Sequence, residues 1–166
     1  VEPNIPHITE TATQLQDWLS NDDFLFVYQG LGQFYKSQGL YKTAERWCEQ
    51  CLVVSEKRMG SYHLTVAKSL ANVAELYYHQ GRFSEALEPC RRSIEVRESV
   101  LGYDHPDVAE SLNILAELYF AQGNYSEANL LYQKSLRILE LSLEQTNSRV
   151  SATLNNLGNF CLAQAR

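Results

Sequence analysis

The sequence predicts an all-α chain, a right-handed α-solenoid of antiparallel helix pairs stacked one on another. Three observations predict it. Residue types recur in matched columns at a fixed spacing of 42. Within each unit the apolar residues recur at three- and four-residue steps, the stripe of an amphipathic helix. No segment sustains the two-residue alternation of a half-buried strand.

The period is clearest at glycine. Gly39-Leu40-Tyr41, Gly81-Arg82-Phe83 and Gly123-Asn124-Tyr125 each place an aromatic two residues after Gly. Gln38, Gln80, Gln122 and Gln164 precede the turn, and Ala44, Ala86 and Ala128 follow it. Tyr35, Tyr77 and Tyr119 stand four residues before Gly, beside Phe34, Leu76, Leu118 and Phe160. Leu70, Leu112 and Leu154 align, as do Val66, Val108 and Val150, and Met59, Leu101 and Leu143 close the units.

In chain order, Ile8, Ala12, Leu15, Trp18 and Leu19 make one amphipathic helix over 1–22, the second helix of a degenerate leading repeat. Asn21-Asp22-Asp23 breaks it. Three helix-pair units follow, over 23–64, 65–106 and 107–148. In the middle unit Val66, Leu70, Val73, Ala74 and Tyr77 form the first stripe, and Gly81 ends that helix. The second helix spans Ser84–Leu101, with Ala86, Leu87, Cys90, Ile94 and Leu101 on its buried side. Ser84 and Ser126 are the expected N-caps. Gly102-Tyr103-Asp104-His105-Pro106 is a turn into the next unit. Residues 149–166 make the first helix of a truncated fourth unit, without its partner.

Composition narrows the function. The chain has 166 residues, enough for one ordinary domain, and 45% are hydrophobic, which excludes disorder. Its net charge of -6 and pI near 5.2 lack the basic surplus of a nucleic-acid binder. No apolar run approaches the ~18 residues that span a bilayer, and no basic-then-apolar leader opens the chain. Its first residue is Val, as in an excised piece of a longer chain. Four cysteines are too few for a disulfide scaffold at this length, so a reducing cytoplasm is the expected location.

The column chemistry selects among repeat families of this period. Propeller blades need strands and a Trp-Asp signature, and armadillo units have three helices. Here Leu70, Val73, Ala74, Tyr77, Gly81, Phe83 and Ala86 recur as Leu112, Leu115, Ala116, Tyr119, Gly123, Tyr125 and Ala128. This order resembles the tetratricopeptide repeat (TPR). Its small residues, Ala74 and Ala116 with Gly32 and Gly158 in the same column, belong where two helices touch. Gly102-Tyr103-Asp104-His105-Pro106-Asp107-Val108-Ala109, then Ser111-Leu112-Asn113, resembles the 42-residue TPR subtype of kinesin light chains. Similar arrays form the C-terminal sensor of P-loop signalling ATPases of the NB-ARC type. The stretch from Ile5-Pro6-His7-Ile8 through Trp18-Leu19 to Gly30-Leu31-Gly32 resembles the start of cyanobacterial arrays. One departure is Pro89, one position later than the subtype carries it, which predicts a local bend.

Candidate chemical sites are few. Cys48-Glu49-Gln50-Cys51 has the spacing of a redox pair or half a zinc site. Yet Cys48 shares a column with Cys90 and Tyr132, and Cys51 with Ser93 and Ser135, which are core positions. Zinc also needs two further ligands. His63 and His105 recur in the inter-unit turn, with Asn147 third, and read as turn residues bonding local backbone. His7 and His79 are isolated. Asn124-Tyr125-Ser126 matches a glycosylation sequon but lies in a tight turn. No P-loop, G-x-S-x-G, H-E-x-x-H or EF-hand loop occurs. The expectation is a chain that is not an enzyme, with no cofactor and no metal.

The TPR resemblance implies that first helices line a concave face that binds a peptide or protein segment, with no nucleic acid and no membrane. The positions left over from packing are then Lys68, Asn72, Glu75 and Tyr78 in the middle unit. The next unit adds Glu110, Asn113, Glu117 and Phe120, and the last helix Asn155, Asn156 and Asn159. Asn amides carry a donor and an acceptor for a peptide backbone, and Tyr78 and Phe120 offer apolar pockets. Charges are mixed, with Lys36 and Lys68 against Glu75, Glu110 and Glu117. Two functions fit: a protein-protein interaction module, or a sensor or structural segment of a larger P-loop ATPase. The unpartnered C-terminal helix offers a further association surface.

Overall fold

Residues 20–142 and 147–164 are described by the computed structural model, and they form seven α-helices. These are α1 (Asn21–Ser37), α2 (Tyr41–Met59), α3 (Leu64–His79), α4 (Phe83–Leu101), α5 (Pro106–Ala121), α6 (Tyr125–Leu141) and α7 (Asn147–Gln164). No strand occurs among the described residues. The expected leading helix up to Leu19 lies outside the described residues, as does Leu143. Asn21-Asp22-Asp23, read as a break, opens α1.

Helices follow one another with period 42 because one turn is reused. Gly39, Gly81 and Gly123 have φ of 72°, 74° and 79°, a left-handed conformation that strains any side chain. Around Gly81 the bonds are those of a Schellman motif: Arg82 N–H donates to Tyr77 O at 2.9 Å and Gly81 N–H to Tyr78 O at 2.9 Å. Leu40 and Asn124 repeat the first bond to Tyr35 and Tyr119 at 2.9 and 2.8 Å. The residue after Gly is at once the N-cap of the next helix, with no side-chain capping bond. Ser84 and Ser126 are therefore not the caps; they sit one residue inside α4 and α6.

The second kind of turn is capped by histidine. His63 Nδ1 accepts from Thr65 N–H at 3.2 Å, and His105 Nδ1 from Asp107 N–H at 3.1 Å. These are the local backbone bonds that the recurring histidines predict. α4 continues through Pro89 without ending.

Small residues sit where helices meet. Ala74, Ala86, Ala116 and Ala128 have no exposed surface. A Cβ added at Gly32 would meet Cys48 Sγ at 2.9 Å, so a larger residue there makes the Cys48 side chain shift. A Cβ at Gly158, in the same column, would meet nothing within 4 Å, because no second helix faces α7 there among the described residues. Tyr28 and Trp47 meet edge to face at 5.4 Å in the first pair. Buried hydroxyls also repeat: Ser93 donates to Ala67 O at 2.8 Å and Ser135 to Ala109 O at 2.9 Å. Each satisfies a polar atom that burial would otherwise penalise.

Candidate binding groove

The first helices α3, α5 and α7 lie side by side, and together they wall a cavity of about 350 Å³. α3 contributes Glu75; α5 contributes Glu110, Asn113, Ile114 and Glu117; α7 contributes Ala152 and Asn156. Leu139 reaches in from α6. One-turn steps along α5 put Glu110, Asn113 and Glu117 on one face.

The three carboxylates differ in their partners. Lys36 Nζ on α1 pairs with Glu75 at 2.7 Å, and His79 lies 3.7 Å from the other Glu75 oxygen. Arg97 on α4 pairs with Glu110 at 3.1 Å and also donates to Ser111 Oγ at 2.8 Å and Asp107 O at 2.5 Å. Glu117 accepts from Asn156 Nδ2 at 2.6 Å. Burial lifts the Glu117 carboxyl above the usual carboxylate range; the Asn156 bond opposes this and the negative Glu75 adds to it.

Of the eleven residues expected on this face, Glu75, Glu110, Asn113, Glu117 and Asn156 come together in the cavity wall. Lys68, Asn72, Tyr78, Phe120, Asn155 and Asn159 are not part of that wall. Lys68, Asn155 and Asn159 are exposed and Asn72 is half-buried. The amides of Asn113 and Asn156 are already engaged, since Asn113 Nδ2 donates to Thr153 Oγ1 at 2.6 Å. Asn113 Oδ1 is buried without a hydrogen-bond partner.

Tyr78 and Phe120 have packing duties that their column position does not reveal. Tyr78 packs at a tilt on Phe83 at 5.7 Å, and Phe120 on Tyr125 at 5.6 Å and on Phe160 at 5.8 Å. Phe83 and Tyr125, each two residues after a turn glycine, thus pack back on the first helix of their own pair, whereas Tyr41 stacks on His79 of α3 at 6.0 Å. Sequence reasoning missed Arg97 and Leu139. Arg97 is almost fully buried in a column otherwise filled by Ser55 and Leu139. A charge in a small or apolar column is the signal that marks it.

The cysteines are free thiols. Burial pushes Cys48 up to about 11 and Cys90 up to about 12, away from thiolate chemistry. Among the described residues, no group of three His, Cys, Asp or Glu side chains converges to hold a metal ion.

A family model described as tetratricopeptide repeat matches residues 24–89 and 71–141. Among solved structures, BtubC (BKLC) from P. vanneervenii superposes with a TM-score of 0.80 at 22% identity, over 95% of this chain and 64% of that one. A Podosopora anserina protein named for a kinesin light chain with nearly identical TPR-like repeats is also similar. Two structures of it give TM-scores of 0.73 and 0.65, both at 22% identity over 93% of this chain. They cover 68% and 76% of those chains. At this identity the likeness is one of fold, and the chain spans 64% of the length of BtubC. No curated protein matches by sequence.

Proposed function

Since the chain belongs to the tetratricopeptide repeat family, we propose that it is a non-catalytic interaction module that binds a protein or peptide segment on its concave face. The observation that carries this reading is the cavity between α3, α5 and α7, walled by three successive first helices. A groove crossing several repeats suits an extended segment, the usual ligand of a solenoid. Its carboxylates disfavour a polyanion such as nucleic acid. No helix among the described residues is long and apolar enough to cross a membrane. We place the protein in the cytoplasm on its four free thiols.

The test is a groove-filling change. Ala152 is exposed in the cavity wall, and Ala152→Trp occupies the space without entering the helix-pair core. Peptides selected on the wild-type chain lose binding to Ala152→Trp and keep it for Arg91→Ala, on the second helix α4. The reverse pattern excludes the groove.

We also propose a second contact surface on α7. Leu154 is 48% exposed, whereas its column partners Leu70 and Leu112 are 1% and 3% exposed. Leu162 adds to the same helix at 68% exposed. Self-association that disappears in Leu154→Glu checks this; an unchanged monomer mass at high concentration contradicts it.

A further inference from the structure

We propose that the segment bound in this groove anchors itself with a basic side chain, its cation placed against Glu117. This rests on the groove reading above and names the chemistry of the partner. The first support is the distribution of charge around the cavity. Glu75 already has Lys36 at 2.7 Å, and Glu110 has Arg97 at 3.1 Å. Glu117 is held by the neutral Asn156 amide at 2.6 Å, with Glu75 a negative neighbour. Of the three carboxylates in the wall, Glu117 is therefore the one whose described hydrogen-bond partner is neutral.

A second, independent feature asks for a donor. Asn113 lines the same cavity, and its Oδ1 is buried with no hydrogen-bond partner. Such an acceptor costs about 1–3 kcal/mol while unmet. An arginine brings five N–H donors on a planar fork and a lysine brings three. The remaining wall is Ile114, Leu139 and Ala152, apolar surface on which the aliphatic stem of either residue packs. A cavity of 350 Å³ stands at the small end of ligand sites, enough for one side chain. A metal ion is a poor alternative, since the carboxylates do not converge as ligands among the described residues.

The experiment uses the intact 166-residue chain and a random library of capped decapeptides. Selection on the wild type should fix Arg or Lys at one position. Glu117→Gln, and citrulline in place of that arginine, should each weaken binding by about tenfold or more. The two changes together should cost less than their product, the mark of a direct pair. Thermal melting of Glu117→Gln is the control for folding. Peptides that need no basic position, or that are blocked by Ala152→Trp but indifferent to Glu117→Gln, overturn the basic anchor and leave the groove standing. Peptides indifferent to Ala152→Trp remove the groove reading itself. A library that yields no binder counts against both.

Discussion

Asn156 donates from Nδ2 to Glu117 Oε1 at 2.6 Å, joining α7 to α5 across the groove wall. The bond gives a part-buried carboxylate in the wall of the proposed groove a neutral partner. Ion pairing would have stabilised it more, and a hydrophobic residue would have removed the cost of burial.

That cost is measurable. The Glu117 carboxyl is raised in the folded protein, chiefly by burial, so folding favours its protonated form. Its contribution is therefore most favourable in acid, below the unfolded carboxylate value, and is lost as pH rises through the folded one. Glu117→Gln should melt at the same or a higher temperature than wild type at pH 7. The difference should shrink on acidification to pH 4. A lower melting temperature at pH 7 would show that the charge stabilises the fold.

The histidine caps predict a local effect. His63 and His105 each satisfy one orphan N–H at a helix start through Nδ1. Replacing either by Ala should cost about 1 kcal/mol in urea unfolding, and Asn or Asp should restore most of it. Equal stability of His105→Ala and His105→Asn would deny the capping role.

How much of this was legible in the sequence depended on whether a residue's duty is local. Gly81 and His105 act within a few residues of themselves, and the 42-residue columns exposed both. The family's fold followed from the same columns, with Ala74 and Ala116 at the contact points. Ser84 misled because the cap is a backbone role taken by the residue directly after Gly81. The groove was legible as a face and not as a set of bonds. Glu117 and Asn156 occupy different columns and lie 39 residues apart, so periodicity could not pair them. Phe120 shows the same limit, since its contacts with Tyr125 and Phe160 depend on how two units nest.

Glycine offers a paired prediction within one column. Gly158→Ala meets no neighbour and should gain up to about 1 kcal/mol of helix propensity. Gly32→Ala meets Cys48 Sγ and should gain less or lose stability. Cys48→Ala removes that sulfur, so the two substitutions should couple favourably in a double-mutant cycle. Identical responses at Gly32 and Gly158 would mean that the close approach of α1 and α2 is not tight.

Thiol labelling separates the cysteines. Cys161 is exposed and should react first with a maleimide, whereas Cys51 and Cys90 are buried and should react only on unfolding. Cys48, half-buried and lifted to about 11, should be slow. Rapid joint labelling of Cys48 and Cys51 would contradict a packing role for that pair.

The most direct test of the central claim is methyl NMR of Ile- and Ala-labelled protein titrated with a selected decapeptide. Ile114 and Ala152 line the groove, while Ile94 is buried in α4 on the other layer. Binding in the groove should give saturable shifts at Ile114 and Ala152 with Ile94 little changed, and the Ile114 shift should be lost in Ala152→Trp. Saturable binding that leaves Ile114 and Ala152 unmoved would contradict it.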